Sequence, residues 1–176
     1  MLNRGLKSGL AAVAIVICGS APALAHVTLE TQEAPVGSTY KAVLRVPHGC
    51  EGKATTAVRV KIPEGMIAVK PMPKPGWKLE TANGSYEKSY MFHGAPVTEG
   101  VKEIIWSGGN LPDAHYDEFV FQGYLTDDLK PETTLYIPAV QECGSAAERW
   151  IEIPADGKSA RDYKKPAPAL RLIAKP

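Results

Sequence analysis

The residue with the greatest chemical potential in this sequence is His26. It follows Ala23-Leu24-Ala25, a pattern of small residues at alternate positions that a signal peptidase reads. Upstream lie a basic start, Arg4 and Lys7, and an apolar run from Leu10 to Ile17. Residues 1–25 therefore read as a signal peptide, and cleavage after Ala25 makes His26 the first residue of a mature chain, 26–176. A histidine at a free amino terminus offers a metal its α-amine and its ring Nδ1. Together these close a chelate ring that no internal histidine can make, and the next backbone nitrogen is available as a third donor. Amine and imidazole nitrogens suit Cu(II), which heads the divalent affinity order and favours tetragonal N/O geometry. The donors must shed protons to bind, so affinity is expected to fall as pH drops.

The other residues able to do chemistry are few. The leader takes Cys18, leaving Cys50 and Cys143. In an exported protein such a pair most simply forms one disulfide, closing a loop of roughly ninety residues and worth on the order of 4 kcal/mol. The alternative is a thiolate metal site. The remaining histidines sit among turn formers: His48 in Pro47-His48-Gly49-Cys50, His93 before Gly94-Ala95-Pro96, and His115 in Leu111-Pro112-Asp113-Ala114-His115-Tyr116. His48 is the one that a Cys50–Cys143 bridge draws toward another segment. Glu51 reads on its own as a loop carboxylate, and Trp150 as a core aromatic. Met66, Met72 and Met91 offer soft sulfur to Cu(I) but form no Met-x-x-Met cluster. No P-loop, dinucleotide fingerprint, Ser-His-Asp ordering or His-Glu-x-x-His helix occurs, so a binding protein is expected rather than an enzyme.

These residues need a scaffold, and its class is legible. Segments between scattered Pro and Gly are short and alternate with period two, as half-buried strands do. They run over Val27–Thr31, Tyr40–Val46, Thr55–Ile62, Met66–Val69, Trp77–Thr81, Tyr86–Phe92, Val101–Trp106, Glu118–Leu125, Thr133–Val140, Arg149–Ile153 and Ala169–Ile173. Asn83-Gly84 marks a hairpin turn, Ser107-Gly108-Gly109-Asn110 ends a strand, and Ala146–Trp150 is the one stretch suited to a helical turn. Pro71-Met72-Pro73-Lys74-Pro75-Gly76 cannot be helical. The expected fold is a single all-β domain, an antiparallel β-sandwich of immunoglobulin-like or cupredoxin-like plan, over residues 26–176.

Composition narrows the partners. With 20 Lys+Arg against 19 Asp+Glu among 176 residues, there is no basic surplus for nucleic acid or anionic lipid. No apolar stretch of about 18 residues follows the leader, so no membrane span is expected in the mature chain.

Taken in order, several segments resemble the YcnI-like family of exported bacterial proteins, which includes copper-binding members. The markers are His26-Val27-Thr28-Leu29, Pro35-Val36-Gly37-Ser38 and Leu44-Arg45-Val46-Pro47-His48-Gly49-Cys50. Thr55-Thr56, Ile62-Pro63-Glu64-Gly65, Lys74-Pro75-Gly76-Trp77 and Leu111-Pro112-Asp113 follow, then Val140-Gln141-Glu142-Cys143 and Trp150-Ile151-Glu152-Ile153-Pro154. The resemblance implies a β-sandwich that binds Cu(II) through a brace with one histidine, His26, beside a carboxylate and a tryptophan matched here by Trp150. In many relatives Val-Pro-Asn-Glu stands where this chain has Val46-Pro47-His48-Gly49, so the family carboxylate falls on Gly49. Glu51 or Glu142 is then the expected substitute, or His48 supplies a nitrogen instead. The function implied is a copper chaperone or store in the periplasm or outside the cell. Its expected partners are the copper ion, other copper chaperones and a copper transporter of the envelope. A copper-dependent oxidase or oxygenase, which needs a second histidine, and a metal-free envelope module are the alternatives.

Overall fold

The structure is a computed structural model that describes residues 26–175; the expected signal peptide, residues 1–25, lies outside them. Twelve strands form in chain order: β1 (Thr28–Leu29), β2 (Glu33–Pro35), β3 (Ser38–Val46), β4 (Thr55–Lys61), β5 (Met66–Pro71), β6 (Lys78–Phe92), β7 (Ala95–Leu111), β8 (Asp117–Leu125), β9 (Thr134–Tyr136), β10 (Ala139–Cys143), β11 (Ala146–Trp150) and β12 (Ala169–Ile173). Apart from one 3-10 turn at Ala160–Asp162, the described residues contain no helix. Two antiparallel sheets make the sandwich, one ordered β1-β3-β8-β5 and the other β11-β10-β4-β7-β6. A third, small sheet, β2-β12-β9, carries the one parallel pairing among these strands, β12 with β2.

The core follows from the alternation. Strand β3 pairs with β8 along its whole length, setting Ala42 opposite Phe121 and Leu44 opposite Phe119. All four are at most 1 % exposed. Facing them from the second sheet are Val58 and Val60 of β4 and Ile104 and Trp106 of β7. Each fully buried apolar side chain of this size contributes about 1.5–3 kcal/mol. The layer between the sheets is therefore the main source of stability.

Four local expectations are corrected. Asn83-Gly84 does not turn the chain: β6 runs straight through it, with Asn83 paired to Val101 and Gly84 to Gly100 after a register shift at Ala82/Asn83. The hairpin turns at His93-Gly94 instead, where φ is +51° and +80°. Two consecutive positive φ values are what a two-residue type I′ turn demands. Strand β7 also continues past Ser107–Asn110, absorbing those residues in a shift against β4 between Thr55 and Ala57. The expected strand Thr133–Val140 is two strands broken at Ile137-Pro138, β9 in the small sheet and β10 in the large one. A proline lacks the N–H needed in a ladder, so the chain changes sheets there. Finally, Ala146–Trp150 is extended, not helical, and forms a hairpin with β10 that pairs Gln141 with Glu148 and Ala139 with Trp150.

Candidate metal centre

The amino-terminal end of the described chain is pinned by its second and fourth residues. Val27 and Leu29 are each 2 % exposed, and β1 pairs Thr28 with Arg45 and Leu29 with Leu44. Beyond β1 the Tyr40 hydroxyl donates to Thr31 O at 2.5 Å. Burial, with Glu30 adding to it, pushes this phenol up to about 12, so it stays a neutral donor. This anchoring directs His26 toward the Pro47-His48 end of β3. The His26 ring packs against Trp150 with centroids 5.7 Å apart and planes at 60°, an edge arrangement. Its Nε2 is buried without a hydrogen-bond partner among the described residues. The amine chelate requires the other ring nitrogen, Nδ1, so burial of the Nε2 edge does not obstruct it.

Trp150 is 5 % exposed, and its Nε1 donates to Gln141 Oε1 at 3.2 Å. Gln141 Nε2 in turn donates to His48 O at 2.6 Å and to Thr55 Oγ1 at 2.7 Å. One buried amide thus ties the aromatic under His26 to the turn that carries His48. Sequence reasoning passed over Gln141, although it is in phase with the buried Ala139 and Cys143 on the inner face of β10. That phase was the signal available.

Cys50 and Cys143 form the expected disulfide, with Cα atoms 5.8 Å apart. The bridge fixes the His48–Gly49 turn against β10. The His48 ring Nδ1 lies 2.5 Å from Gly49 O and 3.9 Å from Asp113 Oδ1. A histidine held at one ring nitrogen by a carbonyl, with a carboxylate nearby but beyond hydrogen-bond distance, presents the other nitrogen as a lone-pair donor.

The expected carboxylates do not join this group. Glu51 projects from the exposed Cys50–Lys53 turn with φ +49°. Glu142 faces away from Gln141, on the outer side of β10, where its Oε1 accepts from Arg59 Nε at 2.7 Å. His93 sits at the β6–β7 tip beside Phe92, and His115 in the β7–β8 loop that also carries Asp113. Of the methionines, Met66 is core, while Met72 and Met91 are exposed and separate. No group of three or more His, Cys, Asp or Glu side chains among the described residues is close enough to hold a metal ion.

The fold and this end of it define an immunoglobulin-like β-sandwich whose first described residue packs on a buried tryptophan. The family model described as a domain of unknown function (DUF1775) matches residues 26–172, and the chain belongs to that family. This is the YcnI-like family that the sequence motifs resemble. Among solved structures, the chain is similar to one described as an uncharacterized protein from Nocardia farcinica with an immunoglobulin-like fold. The identity is 24 % and the TM-score 0.61, over 84 % of this chain and 98 % of that one. No curated protein matches the chain. No described helix is long and apolar enough to cross a membrane, and the disulfide suits an oxidising compartment.

Proposed function

We propose that this chain is an exported Cu(II)-binding protein, a copper chaperone or store rather than an enzyme, that grips the ion with the amine and ring of His26 once the leader is removed. The observation that carries this reading is the seating of His26. Its ring lies edge-on against Trp150, and the family match begins at the same residue. When bound, Cu(II) takes nitrogen donors in a tetragonal set. The chain's own contribution is to hold those donors. Val27 and Leu29 fix the backbone, Trp150 limits the ring's rotation and shields one side from water, and Gln141 holds Trp150 and the His48 turn in place. His48 is the best placed side chain to add a second imidazole. A site with an amine anchor and few side-chain ligands exchanges its ion readily, which suits handing copper to another envelope chaperone or a transporter.

The reading is tested by electron paramagnetic resonance with one equivalent of Cu(II). Protein beginning at His26 should take up about one ion with nitrogen hyperfine structure. The His26→Ala variant, and protein with the leader or a tag before His26, should lose that signal. Equal affinity in the extended and the cleaved forms would refute it. Oxygen or peroxide consumption with a reductant by the copper-loaded protein would favour a copper oxidase or oxygenase instead.

A further inference from the structure

The outer face of the sheet β1-β3-β8-β5 carries side-chain rows that run across its strands. Lys41, Gln122 and Lys70 make one row, because Gln122 of β8 is paired with Lys41 on one side and with Lys70 on the other. Thr39 and Tyr124 make the next. It is closed by Phe92 from the end of β6, whose ring centroid lies 5.1 Å from that of Tyr124. On the opposite side of the lysine row stand Val43, Val120 and Met72, with Met72 N donating to Val120 O at 2.8 Å.

Lys70 belongs to its row because of an irregularity in β5. Ile67 pairs with Tyr124 and Lys70 with Gln122, so three steps on β5 match two on β8. This extra residue lets two side chains three apart share a face. Ala68 stands in the irregularity at φ +51°, a conformation that is uncommon outside glycine and costly to hold. With regular pairing Val69 would oppose Gln122, and Lys70 would turn toward the buried layer.

The lysine row is also unbalanced in charge. Nearby on this sheet Arg45 meets Glu30 at 2.9 Å and Glu118 at 3.3 Å, and beside it Lys74 meets Asp117 at 2.7 Å. Lys41 and Lys70 are exposed, and neither is in an ion pair among the described residues. Two hollows of about 330 Å³ each share Lys70 and Gln122. Pro71, Met72, Pro73 and Val120 wall one of them, and Phe92, His93 and Tyr124 wall the other. No Asp or Glu lines either hollow.

We propose that this face is a docking groove for an extended acidic segment of a partner protein. A carboxylate of that segment lies over Gln122 between Lys41 and Lys70, an aliphatic side chain enters beside Met72, and a ring enters beside Phe92 and Tyr124. Charge complementarity selects the acid: two unmatched ammonium groups flank an amide that can donate to the same carboxylate. The hollow at Met72 selects a peptide, since aliphatic and thioether walls suit an apolar side chain and offer no aromatic face on which a sugar could stack. Successive rows lie about 6–7 Å apart, so three rows span about 13 Å, the reach of about four extended residues. This docking does not depend on the copper reading.

The test selects random linear heptapeptides displayed on phage against the oxidised protein beginning at His26. Enriched peptides are resynthesised and their affinity is measured by fluorescence anisotropy. They should carry Asp or Glu close to aliphatic and aromatic residues. An exposed ion pair is worth up to about fivefold in affinity, so Lys41→Gln and Lys70→Gln should each weaken binding about threefold, and together about tenfold. Lys158→Gln, which changes an exposed lysine outside the groove, should match wild type. Raising the salt from about 0.05 to 0.5 M should weaken wild-type binding more than that of the double variant. Thermal unfolding confirms that each variant is intact. If no peptide is enriched, or the enriched peptides bind the double variant as they bind wild type, the proposal is overturned. It is equally overturned if oligogalacturonate, the probe for an acidic glycan, binds through these lysines and the peptides do not. Light scattering that shows a dimer dissolved by Lys70→Glu would also overturn it, because the occupant is then a second copy of this chain.

Discussion

Replacing Gln141 with leucine examines how the site is held. Gln141 is 1 % exposed, and its amide serves His48 O, Thr55 Oγ1 and Trp150 Nε1 at 2.6, 2.7 and 3.2 Å. Leucine fills a similar volume and offers none of these bonds. The His48 carbonyl and the Trp150 N–H are then left without partners, each at about 1–3 kcal/mol. The added apolar burial offsets part of this, so a net loss of about 3 kcal/mol is expected. That is a large share of the 5–15 kcal/mol typical of a domain, and corresponds to a fall in Tm of roughly 10 °C at this size. Glu142→Gln provides the comparison from the outer face of the same strand. It removes the charge facing Arg59 across 2.7 Å, in a pair whose side chains are 40 % and 37 % exposed, and should cost less than about 1 kcal/mol. Urea unfolding of the oxidised protein starting at His26 measures both, provided the m-value is unchanged. If Gln141→Leu lies within 1 kcal/mol of wild type, or the two variants cost the same, the buried amide is not what joins Trp150 to the His48 turn.

Glu64 should control acid stability. Burial alone would raise its carboxyl, but hydrogen bonds from Lys102 Nζ, Tyr90 Oη and the Glu87 N–H hold it below the usual value of 4.5. Its contribution is therefore full above about pH 4.5 and lost as pH falls below that. Glu64→Gln should cost about 1–2 kcal/mol at pH 7 and little at pH 3, as read by denaturant titrations at both values. Tyr40 should act at the opposite extreme. Its pKa rises from 10.0 to about 12 on folding, so stability present below pH 10 declines as pH rises through that window. Tyr40→Phe should flatten this decline in unfolding curves taken between pH 9 and 12. Loss of the Cys50–Cys143 bridge, by reductant or by the double Cys→Ser variant, should cost about 2–5 kcal/mol. It should also weaken Cu(II) binding by loosening the His48 turn, which calorimetry on both redox forms would reveal.

Much of the sandwich can be read in the residues themselves, because period-two alternation is a property of the strand and needs no partner to be seen. Tyr40–Val46 and Glu118–Leu125 were legible as strands, and they pair with each other residue for residue. The cysteine pair was legible for a similar reason: two thiols in an oxidising compartment have few other fates. His26 stood out because its chemistry depends on one cleavage, not on a neighbour. What only the tertiary structure decided is where local preference met a competing partner. Asn83-Gly84 favours a turn in isolation, yet continuous pairing of β6 with β7 outweighs it, and the turn falls on His93-Gly94. Pro138 ends one ladder and opens another because the two flanking segments find different sheets. The same holds for the site. Glu51 and Glu142 adjoin Cys50 and Cys143 in sequence, but Glu51 falls in an exposed turn and the pleat of β10 turns Glu142 outward, while Gln141 comes inward to Trp150. Which face a side chain takes is set by strand register, and register is fixed by pairing between segments far apart in the chain.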